Sequence, residues 1–387
     1  MAVPKLRFKE FEGDWSTNKI EEISIVTSGG TPSRNVSDYW NGDIPWVTTS
    51  LVDFNVINEA EEFITQVGLD NSSAKLFPKD TILMAMYGQG ITRGKVAILG
   101  IDATTNQACA AIKLKNGFET KFIFQNLMNR YEEIRDLSNE GGQKNLSAGI
   151  IKEILISFPE KEEQTKIASF LSNVDEKISQ LTQKHELLSQ YKQGMMQKLF
   201  SQQIRFKADD GSEFGEWDYL ELNEVLDYEQ PTKYIVKSTD YDSSYLTPVL
   251  TAGKTFILGY TNETSGIFEG DKENVIIFDD FTTAYKFVNF RFKVKSSAMK
   301  ILKLNHFQNN IFYIYSVFSL LNLPLGDEHK RRWISEYSKQ EIPVPCLEEQ
   351  TKIANFLSAI DQKIEVVAQQ IEQVKQWKKG LLQQMFV

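Results

Sequence analysis

Two stretches of the chain carry apolar residues at alternating steps of four and three positions. Each stretch continues over four heptads, a spacing that is typical of a coiled-coil helix. Neither contains proline, and each begins shortly after one, Pro159 or Pro345, as expected at a helix start. The apolar positions of this predicted seam are Ile167, Leu171, Val174, Ile178, Leu181, Leu188, Ile353, Leu357, Ile360, Ile364, Val367, Ile371 and Val374.

The two helical stretches are copies of one another. Residues 162–200 and 348–386 align without a gap at an offset of 186 and are identical at 20 of 39 positions, beginning with Glu-Glu-Gln-Thr-Lys-Ile-Ala in both. The segments that lead to Trp15 and to Trp217 are also similar, whereas the sequences between head and helix share little. The chain therefore contains one module twice, with the same frame and different contents.

Each body between head and helix is predicted to consist of short strands and loops with one or two helices. The expected fold class is α+β, with two globular recognition domains of mixed α/β structure at residues 1–158 and 202–345. Two long helices, residues 159–201 and 346–387, would join them. Because one chain supplies both helices, we expect an intramolecular antiparallel coiled coil with pseudo-twofold symmetry. A seam that joins two chains is the alternative. A helix of 39 residues would span about 58 Å and could act as a spacer.

Composition narrows the class of protein. The 387 residues are 41% hydrophobic and 25% charged, as in a soluble globular protein. The longest apolar run, residues 311–325, is too short and too polar for a membrane span, and residues 1–9 lack the apolar core of a signal peptide. The two cysteines, Cys109 and Cys346, provide neither a disulfide framework nor a metal set. We expect a cytoplasmic location.

The net charge of −9 argues against general binding to nucleic acid. Neither body is basic as a whole, so local clusters matter more. Residues 286–303 contain six basic side chains and no acidic one. This run predicts either a nucleic-acid contact or a solvated strand face.

Polar loops recur at matching points of the two bodies and are the candidate DNA contacts. A glycine-rich loop follows the strand predicted at residues 81–87, and an acidic and polar loop follows residues 274–278. For any single residue, an ordinary turn or surface role is the alternative. The first-body candidates are Thr31, Ser33, Arg34, Thr48, Tyr87, Gln89, Thr92, Arg93, Lys95, Asn106, Gln107, Gln143 and Lys144. The second-body candidates are Thr251, Lys254, Thr282, Thr283, Lys286, Lys295, Ser297, Lys330, Arg331 and Arg332.

The side-chain types suggest how these loops would act. Gln89 and Arg93 suit bidentate contacts to base edges, whereas lysines and threonines suit phosphates. A catalytic site is not indicated, because the three histidines are scattered and no phosphate-binding glycine motif precedes a helix. Asp279 and Asp280 could bind a metal, but the first body has no matching acidic pair.

Several of these segments together resemble the specificity subunit of type I restriction–modification systems. They are the Gly-Gly-Thr-Pro-Ser run at residues 29–33, residues 39–46, the loop from Tyr87 to Lys95, the Asn-Gln-Ala run at residues 106–108, and the repeated Glu-Glu-Gln-x-Lys-Ile-Ala after a proline. The repeated helices are the most specific part. The resemblance covers the whole chain in the family's order of recognition domain, helix, recognition domain, helix.

This resemblance implies a non-catalytic DNA-recognition subunit. Each recognition domain would read one half of a bipartite, asymmetric site in double-stranded DNA. The helices would set the spacer and dock two methyltransferase subunits, onto which restriction subunits assemble. S-adenosylmethionine, ATP and magnesium would belong to those partners. A DNA-binding adaptor unrelated to restriction and a coiled-coil scaffold for proteins are the alternatives.

Overall fold

The structure is a computed structural model that describes residues 3–88, 91–137, 145–251, 255–306, 308–321 and 333–386. The chain divides into two compact units. Unit 1 contains residues 1–182 and 369–387, and unit 2 contains residues 183–368. Each unit therefore combines one body with a segment of each long helix. Among the described residues, no helix is both long enough and apolar enough to cross a membrane.

The elements up to the end of the first long helix are, in chain order, β1 (Ser16–Lys19), α1 (Ile20–Ile23), β2 (Ser24–Ser28), β3 (Trp40–Val47), β4 (Val56–Ile57), β5 (Glu62–Ile64), α2 (Gln66–Asp70), β6 (Ile82–Ala85), β7 (Val96–Leu99), β8 (Thr104–Thr105), β9 (Cys109–Leu114), α3 (Thr120–Asn129), α4 (Tyr131–Asp136), α5 (Ala148–Glu153), β10 (Leu155–Phe158) and α6 (Lys161–Phe200). The remaining elements are β11 (Asp218–Glu221), α7 (Leu222–Val225), β12 (Leu226–Glu229), β13 (Thr247–Leu250), β14 (Ile257–Thr261), β15 (Phe268–Glu269), β16 (Val275–Asp279), β17 (Tyr285–Val288), β18 (Arg291–Val294), β19 (Met299–Leu304), α8 (Ile311–Phe318), β20 (Glu341–Val344) and α9 (Leu347–Met385).

The two bodies share most of their strand order, but β4 in the first sheet of unit 1 and β15 in the second sheet of unit 2 have no counterpart in the other body. In unit 1, the larger sheet has the order β2-β9-β6-β7-β4 and the smaller sheet the order β5-β3-β8. In unit 2, the corresponding orders are β12-β19-β16-β17 and β14-β13-β18-β15. A two-stranded pair, β1 with β10 or β11 with β20, completes each body. The duplication seen in the sequence at heads and helices therefore extends through bodies whose sequences share little.

The core of each body lies on both faces of one sheet, the one that contains β6 in unit 1 and β16 in unit 2. On β6, Ile82 and Met84 pack in one apolar cluster with α3 and the long helices, while Leu83 packs in a second cluster toward β3. On β16, Ile276 and Ile277 divide in the same way. Successive side chains of a strand point to opposite faces, so four consecutive buried residues identify a central strand. The first eight residues of the apolar run, Ile311–Phe318, form α8.

The Glu-Glu-Gln start of each long helix holds its unit together. Arg7 donates two hydrogen bonds to Glu163 at 2.8 and 2.7 Å, and Arg205 donates two to Glu349 at 3.0 and 2.7 Å. Both glutamates are buried, with 2% and 0% of their surface exposed. We call this arrangement the head clamp. It explains why the heads and the helix starts are alike in both copies although the bodies differ.

The glutamine of the same motif performs a second structural task. Gln164 donates to the carbonyl of Pro159 at 2.8 Å and accepts from the backbone N–H of Glu119, just before α3. Gln350 repeats both contacts with Pro345 and with Asn310, just before α8. The buried amide uses its N–H and its oxygen in hydrogen bonds. It thereby fixes the long helix, the end of the preceding strand and the start of a second helix relative to one another.

The residues of the predicted seam are buried or half-buried in both long helices. In unit 1, the beginning of α6, with Ile167 and Leu171, shares an apolar cluster with the end of α9, with Leu381 and Met385. In unit 2, the end of α6 at Leu199 shares a cluster with Ile353 and Leu357 at the beginning of α9. The beginning of one helix meets the end of the other in each unit, so the pairing is antiparallel.

Candidate nucleic-acid interface

Three of the predicted loops of unit 1 meet beside the small sheet. The N–H of Gly30 donates to the carbonyl of Thr105 at 2.8 Å, and Thr31 Oγ1 donates to Gln107 Oε1. The N–H of Met86 donates to the carbonyl of Ala108 at 2.8 Å, which brings exposed Tyr87 next to this loop. The structure thus joins loops that are about 75 and 20 residues apart in the sequence.

Glycine is required where these loops touch. A Cβ on Gly29 would lie 2.2 Å from the carbonyl oxygen of Thr105, and one on Gly30 would lie 2.3 Å from the backbone of Ser73. Both distances are far below contact between non-bonded atoms. The Gly-Gly pair therefore serves close backbone approach rather than turn formation alone.

Arg34 stacks on two tryptophan rings that the sequence did not indicate as part of the site. Its guanidinium is 3.7 Å from the ring centre of Trp40 and 4.8 Å from that of Trp46. It also pairs with Glu62, and the hydrogen bond from this carboxylate raises the pKa of Arg34. A DNA contact by Arg34 would compete with Glu62. Only the packing of β3 against β5 reveals this partner.

The loop between β6 and β7 is anchored to its surroundings. Arg93 Nε donates to the carbonyl of Arg135 at 3.1 Å, at the end of α4. Tyr131 donates from its hydroxyl to the carbonyl of Ile91. Lys95 pairs with Asp53 at 2.5 Å. Thr92 lies in the same loop, half-buried.

The remaining unit 1 candidates occupy local turns or the surface. Thr48 shares a hydrogen bond with Ser50, and Asn106 Oδ1 accepts from the N–H of Ala108 at 3.1 Å. Ser33 is exposed. Gln89, Gln143 and Lys144 lie outside the described residues.

The loop after β18 in unit 2 is the counterpart of the loop after β8. The N–H of Lys295 donates to the carbonyl of Leu250 at 2.8 Å, just as the N–H of Asn106 donates to that of Val47 at 3.0 Å. This shared backbone contact makes Lys295 the positional counterpart of Asn106. Lys295 is exposed, with its ammonium 5.9 Å from the ring centre of Tyr241, and Ser297 follows it in the loop.

Two further candidates of unit 2 line one small cavity. Thr251 and Lys286 border a space of about 150 Å³ together with Phe256, Tyr285 and Asp279. Burial raises the pKa of Tyr285 to about 12, so its hydroxyl stays protonated at neutral pH. Side chains from the loop after β13 and from β17 therefore converge on this cavity.

The turn between β16 and β17 is held by Asp279. Its Oδ1 accepts from the N–H of Phe281 at 3.0 Å and from the N–H and the hydroxyl of Thr282 at 2.7 and 2.9 Å. Thr283 has a positive φ of 56°, which a β-branched residue rarely adopts. The carboxylate thus fixes the exposed Thr282 in place.

The possible metal role of the acidic pair is not supported. Asp280 accepts from the N–H of Trp333 at 2.9 Å, and its other oxygen lies 3.5 Å from the ammonium of Lys300. Asp279 and Asp280 are both buried and serve these internal contacts. Across the described ranges, no group of three or more potential ligands could hold a metal ion.

The basic run at residues 286–303 is not a continuous cationic surface. Lys293 and Lys300 are only 2% exposed and pair with Glu263 and Asp280. Lys303 pairs with Glu229 and Glu273, and Arg291 with Glu269. Acidic residues distant in the sequence therefore neutralise four of the six cations. Lys286 and Lys295 remain the exposed candidates, and Lys254, Lys330, Arg331 and Arg332 lie outside the described residues.

Comparison with known proteins gives one consistent family. The model of the type I restriction modification DNA specificity domain matches residues 12–190 and 215–376. The EcoR124I/EcoR124II specificity subunit of Escherichia coli is 54% identical over 133 residues, which are 34% of this chain and 33% of that protein. The MjaIX specificity subunit of Methanocaldococcus jannaschii is 31% identical over 229 residues, 58% of this chain and 50% of that protein. The matches thus span a third and a half of these relatives' lengths.

A solved structure shows the same fold over the full chain. The S subunit of a type I restriction–modification system from M. genitalium superposes with a TM-score of 0.67 at 17% identity, covering 100% of this chain and 99% of that one. Both segments matched by the family model combine a body with most of its helix. The two matched segments together make up most of the sequence, and the chain belongs to the family of type I restriction–modification DNA specificity domains.

Proposed function

We propose that this chain is the sequence-specific DNA-recognition subunit of a type I restriction–modification complex. Each body reads one half of a bipartite, asymmetric site in double-stranded DNA and acts as a target recognition domain. The long helices set the number of base pairs between the half-sites. The chain itself carries no catalytic step.

One observation supports this proposal most strongly. The two bodies share most of their strand order, yet the loops at matching positions carry different side chains. Asn106 in unit 1 has Lys295 as its counterpart in unit 2, with the same backbone hydrogen bond. An amide and an ammonium prefer different groups on DNA, so equivalent loops would read unlike half-sites.

Several of the candidate contacts come together in each body. In unit 1, Tyr87, Gln107 and Thr31 share one surface. In unit 2, Thr251 and Lys286 share one cavity. Exposed polar groups that converge from separate loops suit base and phosphate contacts better than isolated ones.

The partners follow from the same proposal. Two methyltransferase subunits dock on the repeated frame, and restriction subunits join them. S-adenosylmethionine, ATP and magnesium bind to those partner subunits. The complex works in the cytoplasm. The acidic balance of the chain fits a complex in which partners supply much of the contact to phosphates.

Sequencing of DNA methylation in cells with and without the chain tests the proposal. We expect deletion to remove one bipartite methylated motif and no other. A gel shift with that motif, with and without the methyltransferase subunit, separates the alternatives. Full-strength specific binding by the chain alone would favour an adaptor, and a methylome that does not depend on the chain would favour a protein scaffold.

A further inference from the structure

Arg34 of unit 1 is held in one orientation by three side chains. Its guanidinium lies over Trp40 and next to Trp46, and its terminal nitrogens donate to the two carboxylate oxygens of Glu62. The loop is fixed as well, because Trp40 Nε1 donates to the carbonyl of Ser33 at 3.1 Å. The side chain of Arg34 nevertheless keeps 53% of its surface exposed. A cation that is both fixed and exposed is suited to present its other donors to a ligand.

The two hydrogen bonds to Glu62 use only one edge of the guanidinium. They involve Nη1 and Nη2, so a DNA acceptor at this end competes with Glu62. The neighbouring edge consists of Nε–H and the second N–H of Nη2, and it can make two parallel hydrogen bonds of its own. The O6 and N7 atoms of guanine are a matching pair of acceptors, and they lie together in the major groove. Arg34 can therefore contact a guanine while Glu62 remains bound.

The carboxylate of Glu62 also influences which group of DNA Arg34 prefers. The hydrogen bond from Arg34 lowers the pKa of Glu62, which keeps the carboxylate ionised and the pair intact at neutral pH. Because the pair has no net charge, its attraction to a phosphate is weaker than that of a lone arginine. Hydrogen bonds to the neutral edge of a base do not require a net charge. The pair thus favours a base over the backbone.

Unit 2 repeats the arrangement with a different cation. Lys233, in the loop after β12, pairs with Glu229 at 2.7 Å, and its ammonium lies 5.0 Å from the ring centre of Tyr234. Strand β12 has the same place in its sheet as β2, the strand that precedes Arg34. An ammonium is a point charge without the planar donors of a guanidinium. Both bodies therefore have an aromatic ring and a carboxylate beside a cation, but only Arg34 can make the bidentate contact.

We propose that Arg34 reads a guanine in the half-site of unit 1, and that Trp40 and Glu62 are the residues that position it. This inference rests on the proposed function and adds the base that one side chain selects. Since the rings and the carboxylate already restrict Arg34, it loses little conformational freedom when it binds. The exposed edge lies in the same loop as Thr31, which shares a hydrogen bond with Gln107.

Binding of the assembled methyltransferase complex to duplexes that carry single base analogues tests the proposal. Each guanine of the methylated motif is replaced in turn by 7-deazaguanine, which pairs normally but lacks the N7 acceptor. One such replacement should weaken binding by the unchanged complex about tenfold. With Arg34→Ala, the same replacement should have no further effect. Arg34→Lys retains the charge but not the planar pair of donors, so it should behave as Arg34→Ala does, and it serves if that variant does not fold.

A second variant separates a reading role from a purely structural one. Glu62→Gln keeps the size of the side chain and removes its charge. It should steepen the salt dependence of binding by about one phosphate contact and reduce the effect of 7-deazaguanine. A pair that only holds the fold would lower the temperature of unfolding and leave the base and salt dependence unchanged. Arg291→Ala is the matched control, because Arg291 is 54% exposed and pairs with Glu269 at 3.1 Å.

The control should leave recognition of both half-sites unchanged. The inference is overturned if 7-deazaguanine has no effect at any position, or if its effect is the same with and without Arg34. It is also overturned if Glu62→Gln changes the stability alone. If the unchanged complex does not prefer the methylated motif to other DNA, the proposed function itself fails.

Discussion

Lys192 and Asp361 form an ion pair between the two long helices within unit 2. The ammonium donates to both carboxylate oxygens, at 2.6 and 2.7 Å. In unit 1, Lys378 pairs with Asp175 at 2.5 Å, and each of these residues is 186 positions from its counterpart. Both lysines stand at positions of the four–three spacing where an apolar residue would be expected. Because the two helices are copies and pair antiparallel, each lysine meets an aspartate of the other helix.

Reversing the charge of Lys192 should destabilise unit 2. Lys192→Asp places two carboxylates face to face and should lower the free energy of unfolding by about 1–2 kcal/mol, since the pair is only partly exposed. Adding Asp361→Lys should restore most of the loss. Urea unfolding followed by circular dichroism measures both effects. The same swap at the exposed Glu372–Lys375 pair should change little, and equal effects at both places would contradict the assignment.

The head clamps should differ in strength between the units. Arg7→Ala leaves the buried Glu163 without its two hydrogen bonds and should cost about 3–5 kcal/mol. Arg205→Ala should cost less, because the indole N–H of Trp217 still donates to Glu349 at 2.9 Å. Thermal unfolding of the two variants, with Lys9→Ala as the surface control, tests this order. An equal loss would show that the indole contact adds nothing.

The two cysteines should react differently with an alkylating agent. Burial raises the pKa of the Cys109 thiol to about 12, whereas Cys346 is exposed. The native chain at pH 8 should therefore take up one label, at Cys346, and a second only after unfolding. The folded state favours the neutral Cys109 thiol. The stability that this preference contributes is complete at neutral pH. It decreases as the pH rises from about 8.5, the thiol's usual value, toward 12. Peptide mapping after labelling identifies the site, and early label on Cys109 would contradict its burial.

Lengthening both helices should lengthen the spacer of the DNA site. The unit boundary falls after Thr182 in α6 and after Ala368 in α9, again 186 residues apart. Seven residues inserted at both places preserve the heptad seam and add about 10 Å at ~1.5 Å per residue. That length corresponds to about three base pairs at ~3.4 Å each. Methylation sequencing should show both half-sites unchanged and the gap enlarged. An unaltered gap would refute the spacer role.

Replacement of Arg93 should affect one half-site only. If Arg93 contacts a base edge, Arg93→Ala should cost about 1–3 kcal/mol of discrimination at one position of the unit 1 half-site. Competition binding by the assembled complex with single-base variants of the motif measures this loss. Its hydrogen bond to Arg135 gives it a structural task as well. Equal damage to both half-sites would make that task its main role, and Arg93→Lys serves as the charge-retaining control.

The sequence predicted the elements that depend on local periodicity. The seam residues, the helix starts after Pro159 and Pro345, and the strand–loop–strand at residues 82–99 all follow from spacing that neighbouring residues define. It did not predict the partners of the basic run, because Glu263, Asp280 and Glu229 reach those lysines only when distant strands pair. The correspondence between Asn106 and Lys295 also follows only from the structure, since loops of different length conceal it in the sequence.

The sequence by itself determined that one module occurs twice and that each copy ends in a heptad helix, because repetition and periodicity are properties of the chain alone. Only the tertiary structure decided that each unit takes one end of each long helix. It also decided that Arg7 and Arg205 close onto Glu163 and Glu349. These contacts join residues that are 156 and 144 positions apart, and their formation depends on burial that only the assembled core provides.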